Sequence, residues 1–196
     1  MTQQAKTQRQ LRQSLIEIKE NNQLLSDLSK QDDLTNCFNR RGFFEEVRKR
    51  LKEYSVDGVG PDKALMVFAD LDSLKIINDR FGHEEGDFAI RSAAEILKRS
   101  FPDNSVIGRI GGDEFVLCAF SDKPDTIPQI RKHIEEVSEE YNLEHPEKPY
   151  IIHTSVGVYP FKPSETVEIG ELLSHADTLL YEQKKLKKSI IKEDAE

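Results

Sequence analysis

The sequence predicts an α+β fold, one sheet with helices packed on one face in a split βαβ arrangement. Three observations carry that expectation. Strand-like and helix-like segments follow the order β-α-α-β-β-α-β-α. An almost unbroken apolar run, Ala64 to Ala69, reads as a central strand and ends on Asp70-Leu71-Asp72. A second apolar run, Phe115 to Phe120, follows directly on Gly111-Gly112-Asp113-Glu114. Glycines give a tight hairpin turn the positive φ it needs, so this turn reads as adjacent acids held at the edge of a buried sheet.

The first element is a helix over residues 1 to 32. Leu11, Leu15, Ile18, Asn22 and Leu25 recur with the a/d rhythm of a coiled coil, Asn22 at a core position. An amphipathic helix packed on its own domain would show the same spacing. A core Asn is satisfied opposite its twin in a parallel dimer, which favours a short parallel stalk. A helix over about 40 to 54 follows, with Phe43, Phe44, Val47 and Leu51 inward. Asp57 to Asp62 is a loop by composition. After the central strand, Leu74 to Asp79 reads as a short helix. A longer one runs from Gly86 to Arg99 with Ile90, Ala93, Ala94 and Leu97 on one face. Ser105 to Ile110 and Glu114 to Phe120 are the hairpin strands. Ile127, Ile130, Ile134, Val137 and Tyr141 have helical spacing, and Pro128 suits a first turn. Tyr150 to Val158 is rich in β-branched residues and reads as a strand. Ile169 to Lys188 is the last helix, buried through Leu172, Ala176 and Leu179.

Composition bounds the function. The chain has 196 residues, 37% hydrophobic and 33% charged, enough for one domain plus an extension. A net charge of −8 argues against general binding of nucleic acid, but leaves room for a single nucleotide held by a local basic cluster or a metal. Cys37 and Cys118 show no metal spacing, and Cys118 reads as a small buried hydrophobe. With no signal sequence visible, the cytoplasm is the expected compartment. No apolar run is long enough for membrane insertion.

The chemistry lies in the carboxylates. Side chains at i and i+2 of a strand share a face, so Asp70 and Asp72 point the same way. If the strand they end neighbours the hairpin, three or four acids meet, at an electrostatic cost that a cation relieves. Oxygen ligands favour Mg²⁺ or Mn²⁺. Two such ions about 3.5–4 Å apart suit in-line displacement at phosphorus. Asp113 is the choice over Glu114 as ligand, although an exposed Asp-Glu turn is also an ordinary solvated one. Lys75, near a helix start, can meet phosphate oxygens. Asp87 can accept from N1–H and the N2 amino group of guanine, with Asn78 assisting. Both also read as cap and turn residues. Lys184, Lys185, Lys187 and Lys188 complement the helix dipole or hold a polyphosphate. His83 reads as structural or hydrogen-bonding.

Together these segments resemble the GGDEF domain of bacterial diguanylate cyclases. The resemblance rests on Asp33-Leu34-Thr35 with Asn39-Arg40-Arg41, Asp70-Leu71-Asp72 through Lys75, Asn78-Asp79, Gly82-His83 with Gly86-Asp87, Arg109 to Phe115, Thr154-Ser155-Val156-Gly157, and Ala176-Asp177 with Tyr181 and Lys184. It implies a nucleotidyl-cyclase or polymerase-palm-like (ferredoxin-like) central sheet with surrounding helices over residues 33–190, preceded by the N-terminal helix and followed by a tail, 191–196. The implied reaction joins two GTP into cyclic di-GMP with loss of pyrophosphate. Asp70, the Leu71 carbonyl and Asp113 would hold Mg²⁺ or Mn²⁺, two ions per half-site. Asp113 would take the proton of the attacking 3′-hydroxyl, with Glu114 close by. Leu74, Lys75, Asn78, His83, Asp87, Gly112, Lys184 and Lys188 would bind substrate. Each subunit holds one GTP, so a homodimer is implied, with an upstream sensor domain as a further expected partner. The alternative is a GTP-binding or dimerising module that regulates a partner without turnover.

Three departures stand out. Leu74 replaces the usual Phe, Asn36-Cys37-Phe38 replaces Gly-Leu-Pro/Tyr, and Lys187-Lys188-Ser189 replaces Gly-Arg-Asn. Lys188 keeps a charge without the planar fork of Arg. The Arg-x-x-Asp of the family's product-inhibition site falls on Pro102 and Ser105, so inhibition by that route is not expected.

Overall fold

The structure, a computed structural model, describes residues 12–15, 30–57, 61–121, 126–164 and 166–193; the side chains of 55–57 and 187–193 are not described. The chain divides into two units, Met1–Lys30 and Gln31–Glu196. In the first unit residues 12–15, which are helical, and Lys30 are described. Asn22 and most of the heptad positions lie outside the described residues.

The second unit runs β1 (Phe38–Asn39), α1 (Arg40–Asp57), β2 (Lys63–Leu71), α2 (Leu74–Phe81), α3 (His83–Ser100), β3 (Val106–Arg109), β4 (Glu114–Ser121), α4 (Ile127–Glu144), β5 (Thr154–Phe161) and α5 (Ile169–Glu193). The sheet order is β1-β3-β4-β2-β5. β2 is an interior strand, antiparallel to both neighbours, with Met66 opposite Cys118 on one side and Tyr159 on the other. The parallel pairing of the two-residue β1 with β3 was not expected from the sequence, because Phe38-Asn39 is too short to show a period.

The helices cover both faces of the sheet, which corrects the expectation of one. Leu65, Val67, Ala69 and Leu71 pack with Ala89, Ala93 and Leu97 of α3 and with Ile130, Ile134 and Val137 of α4. Ala64, Met66 and Phe68 pack on the other side with Phe43 and Val47 of α1 and Leu172, Ala176 and Leu180 of α5. An apolar run without polar alternation is the mark of a strand buried on both faces. The last helix buries Leu180 rather than Leu179, and β5 begins at Thr154, later than the β-branched run suggests.

Two helix ends follow local chemistry. Thr126 and Gln129 form a reciprocal capping box at α4, with Pro128 in its first turn. α5 lies close on β5: a Cβ on Gly157 would come within 2.0 Å of the Ala176 carbonyl oxygen and 2.4 Å of the Leu180 nitrogen. That approach sets the height of α5 over the sheet. No described helix is long and apolar enough to cross a membrane.

Candidate active site

The C-terminal end of β2 meets the start of β4. Asp70 lies opposite Glu114 in the register, and the Leu71 N–H donates to the Asp113 carbonyl at 3.0 Å. The two acidic motifs, more than forty positions apart in sequence, thus share one sheet edge. By alternation Asp70 follows Phe68 and Met66 on the side that α5 covers. Lys184 of α5 hydrogen-bonds Asp70 Oδ1, and its Nζ is 4.0 Å from Asp72 Oδ1. Asp70 and Asp72 therefore reach the same ammonium, in line with their i, i+2 spacing.

The charges are unbalanced. Desolvation pushes the Asp70 carboxyl above its ordinary range, and the negative charges of Asp113 and Asp72 add to it against the opposing pull of Lys184. Glu114 is also raised, by desolvation first and then by Asp113, Asp70 and Asp177. One ammonium faces several acids, and the donors are all oxygen. Such a set suits a hard divalent cation. Among the described residues no three His, Cys, Asp or Glu side chains are drawn together as a formed cation site. Lys184 takes the counter-ion place at Asp70.

The glycines of the turn work through space rather than φ. Neither takes a positive φ, and Gly82 (φ 90°) is the glycine that does among the described residues. A Cβ on Gly111 would lie 2.5 Å from Glu114 Oε2, whereas a Cβ on Gly112 would meet nothing within 4 Å. Gly111 lets the Glu114 carboxylate fold back over the turn, and Gly112 leaves open ground in front of it.

A second cluster forms where α2 meets α3. Asn78 lies over Gly86: a Cβ there would sit 1.9 Å from Asn78 Oδ1. Asn78 is thereby placed beside the segment that carries Asp87. His83 and Asp87 are exposed one turn apart at the start of α3, and Lys75 is exposed on the first turn of α2. Leu74 is partly buried against the core. Lys188 lies in α5, its side chain outside the described residues.

The sequence reading missed the ties that hold these pieces. Arg109 donates to the Gly112 carbonyl at 2.8 and 3.1 Å and pairs with Asp32 at 3.1 and 3.2 Å. Asp32 also accepts from the Thr35 N–H and hydroxyl at 3.0 and 2.8 Å. Burial opposes ionisation of Asp32, but Thr35 and Arg109 outweigh it and hold its pKa below the ordinary value. Glu85 is bonded by Tyr150 and by Lys148, the latter at 2.9 Å, and Lys148 also sits 3.9 Å from the Phe88 ring centroid. Asp72 accepts from Ser155 and lies 2.7 Å from His153 Nδ1. The departure at 36–38 also resolves here. Asn36 takes a left-handed φ of 55°, which Asn tolerates better than most residues, and Cys37 is buried.

Comparison with known proteins fits this geometry. The profile of "Diguanylate cyclase, GGDEF domain" matches residues 29–189. Diguanylate cyclase DgcP of Escherichia coli is 34% identical over 178 residues, which cover 90% of this chain and 51% of that protein. The chain thus spans about half the length of that relative. Two solved structures of DgcB from Caulobacter crescentus in complex with c-di-GMP share the fold. One, with coiled coil and GGDEF domain, has a TM-score of 0.64 at 24% identity and covers 91% of this chain and 94% of that one. The other, the GGDEF domain, has a TM-score of 0.63 at 26% identity, with 80% and 91% covered. A profile match across most of the chain, on the fold and acidic sheet edge described above, makes this protein a member of the GGDEF-domain diguanylate cyclase family.

Proposed function

We propose that this domain is a diguanylate cyclase that joins two GTP molecules into cyclic di-GMP. Each 3′-hydroxyl attacks the α-phosphate of the other nucleotide, and each α-phosphate releases pyrophosphate. The observation that carries the reading is the pairing of Asp70 with Glu114 across β2 and β4, beside Asp113 and under Lys184.

Asp70, the Leu71 carbonyl and Asp113 are the donors for Mg²⁺ or Mn²⁺, two ions per half-site. Bound there, the cation supplies charge neutralisation at phosphorus and makes the 3′-hydroxyl more acidic. The chain's own residues do the rest. Asp113 accepts the hydroxyl proton, with Glu114 beside it. Lys184 leaves Asp70 for a phosphate oxygen when the triphosphate enters. Lys75, the Leu74 backbone and Lys188 take other phosphate oxygens, and the open face of Gly112 gives them room. Asn78 and Asp87 read the guanine edge, and His83 borders it. Asp87 presents acceptors to N1–H and the N2 amino group, a donor pair that adenine lacks.

Each domain supplies one nucleotide and one set of acids, so two copies must face each other. The N-terminal heptad with Asn22 offers a parallel stalk to join them. With such a half-site requirement, an upstream sensor would control activity by setting how the two copies face each other.

The test is direct. Purified protein incubated with GTP and Mg²⁺ should yield cyclic di-GMP and two pyrophosphates per product. Tight GTP binding without product, even in an enforced dimer, would instead identify a non-catalytic nucleotide-binding module.

A further inference from the structure

Asp72 lies outside the metal and phosphate sets assigned above, yet it is among the most heavily held side chains at the site. Its N–H donates to the His153 carbonyl at 2.9 Å. Its Oδ2 lies 2.7 Å from His153 Nδ1. The Ser155 hydroxyl donates to Oδ1 at 3.0 Å and Oδ2 at 2.8 Å. Against an ionised carboxylate the imidazole must carry its proton on Nδ1 to make this bond. On its other side, Nε2 of His153 is 4.0 Å from Glu135 of α4.

What these bonds hold is the turn from β2 into α2. Ser73, the next residue, has φ 64°, a left-handed conformation that a serine adopts only at a cost. Its side chain makes no capping bond, and its carbonyl accepts the first bond of the helix, from the Ile77 N–H at 3.1 Å. Leu74 and Lys75 follow at once on the first turn of α2. The same Asp72 offers Lys184 a second carboxylate, 4.0 Å away, beside Asp70.

We infer that His153 and Ser155 are positioning residues: they clamp Asp72, and through it fix the turn that presents Lys75 and the first N–H groups of α2 to the triphosphate. The inference rests on the cyclase reading only for the identity of the nucleotide. It concerns ground-state binding of phosphates, so the loss falls on KM more than on kcat.

The experiment measures GTP affinity by calorimetry with Mg²⁺, alongside KM, kcat and melting temperature, on the whole chain. Four variants are compared: His153→Leu, His153→Asn, Ser155→Ala and Asp72→Ala, with His153→Leu also made in the Asp72→Ala background. Losing a bond to a carboxylate should weaken GTP about tenfold in His153→Leu, with kcat within about threefold. The Asn amide nitrogen stands where Nδ1 stands, so His153→Asn should stay within about twofold of the parent. Ser155→Ala should weaken GTP in the same sense. His153→Leu should add nothing to Asp72→Ala, since both remove one clamp. The inference is overturned if His153→Asn binds as weakly as His153→Leu, if the double variant is fully additive, or if only melting temperature moves. Should His153→Leu fail to fold, Ser155→Ala and His153→Asn decide by the same measures. A parent chain that binds GTP but makes no product overturns the cyclase reading, while the affinities still decide the clamp.

Discussion

Two turns border the acidic corner, and they are held differently. The β3–β4 turn, which carries Gly112, Asp113 and Glu114, is tied by Arg109 to Asp32, near the start of the second unit. The β2–α2 turn, which leads to Lys75, is tied by His153, just before β5, and by Ser155 within it. The first tie makes the geometry of the acids depend on the segment that enters the domain. The second ties the phosphate end to β5 and its entry. A change around Asp32 would reach the Gly112 carbonyl first, through Arg109.

The largest break acts on both turns at once. Gly157→Ala drives a Cβ into the backbone of α5, at 2.0 Å from the Ala176 carbonyl oxygen, and backbone gives little. We expect a loss of about 3 kcal/mol in urea unfolding, and most of the activity, as Lys184 is lifted from Asp70 and Asp72. A fully stable and active Gly157→Ala would show that the height of α5 does not matter.

The next breaks separate the regions. Gly86→Ala leaves both turns alone and displaces Asn78 from its seat, 1.9 Å from the new Cβ. KM for GTP should rise about tenfold, with a smaller preference for GTP over ATP. Unchanged nucleotide preference would remove Asn78 from base recognition. Arg109→Ala cuts the outer tie, leaves the partly buried Asp32 with Thr35 but no cation, and should cost about 2 kcal/mol of stability in urea unfolding.

The smallest effect is a pH dependence. Asp32 has a lowered folded pKa, so it stabilises the fold above its ordinary pKa of 3.8 and loses that contribution as pH falls through the lowered value. The stability gap between the parent and Asp32→Asn should be widest near neutral pH, begin to narrow as pH falls through 3.8, and close only below the lowered folded value. A gap that does not narrow at all as pH falls below 3.8 would mean that Asn36 and the Thr35 bonds, rather than the charge on Asp32, hold that turn.

Much of this was legible in the sequence where regular periodicity operates. The run Ala64 to Ala69 announced a central strand, and i, i+2 spacing placed Asp70 and Asp72 together. The same run also signalled burial on both faces, a signal that the one-sided reading passed over. Gly111-Gly112 marked the turn for the wrong reason: the glycines clear space for Glu114 rather than supply positive φ. The clamp on Asp72 was out of reach, because His153 lies 81 residues away and only the β2–β5 register brings it near. The Arg109–Asp32 tie, 77 residues apart in sequence, failed to show for the same reason. Local pattern revealed the elements, while pairings across the sheet remained invisible.

The central claim is that Asp70, opposite Glu114, makes this sheet edge a site of phosphoryl chemistry. Pyrophosphate release from GTP with Mg²⁺, compared between the parent and Asp70→Asn, tests it most directly. The parent should release one pyrophosphate per GTP consumed and accumulate cyclic di-GMP. Asp70→Asn, folded by its melting transition, should fall by about a thousandfold or more, as expected for loss of a metal-holding carboxylate. An Asp70→Asn variant that keeps the parent's rate would contradict the account.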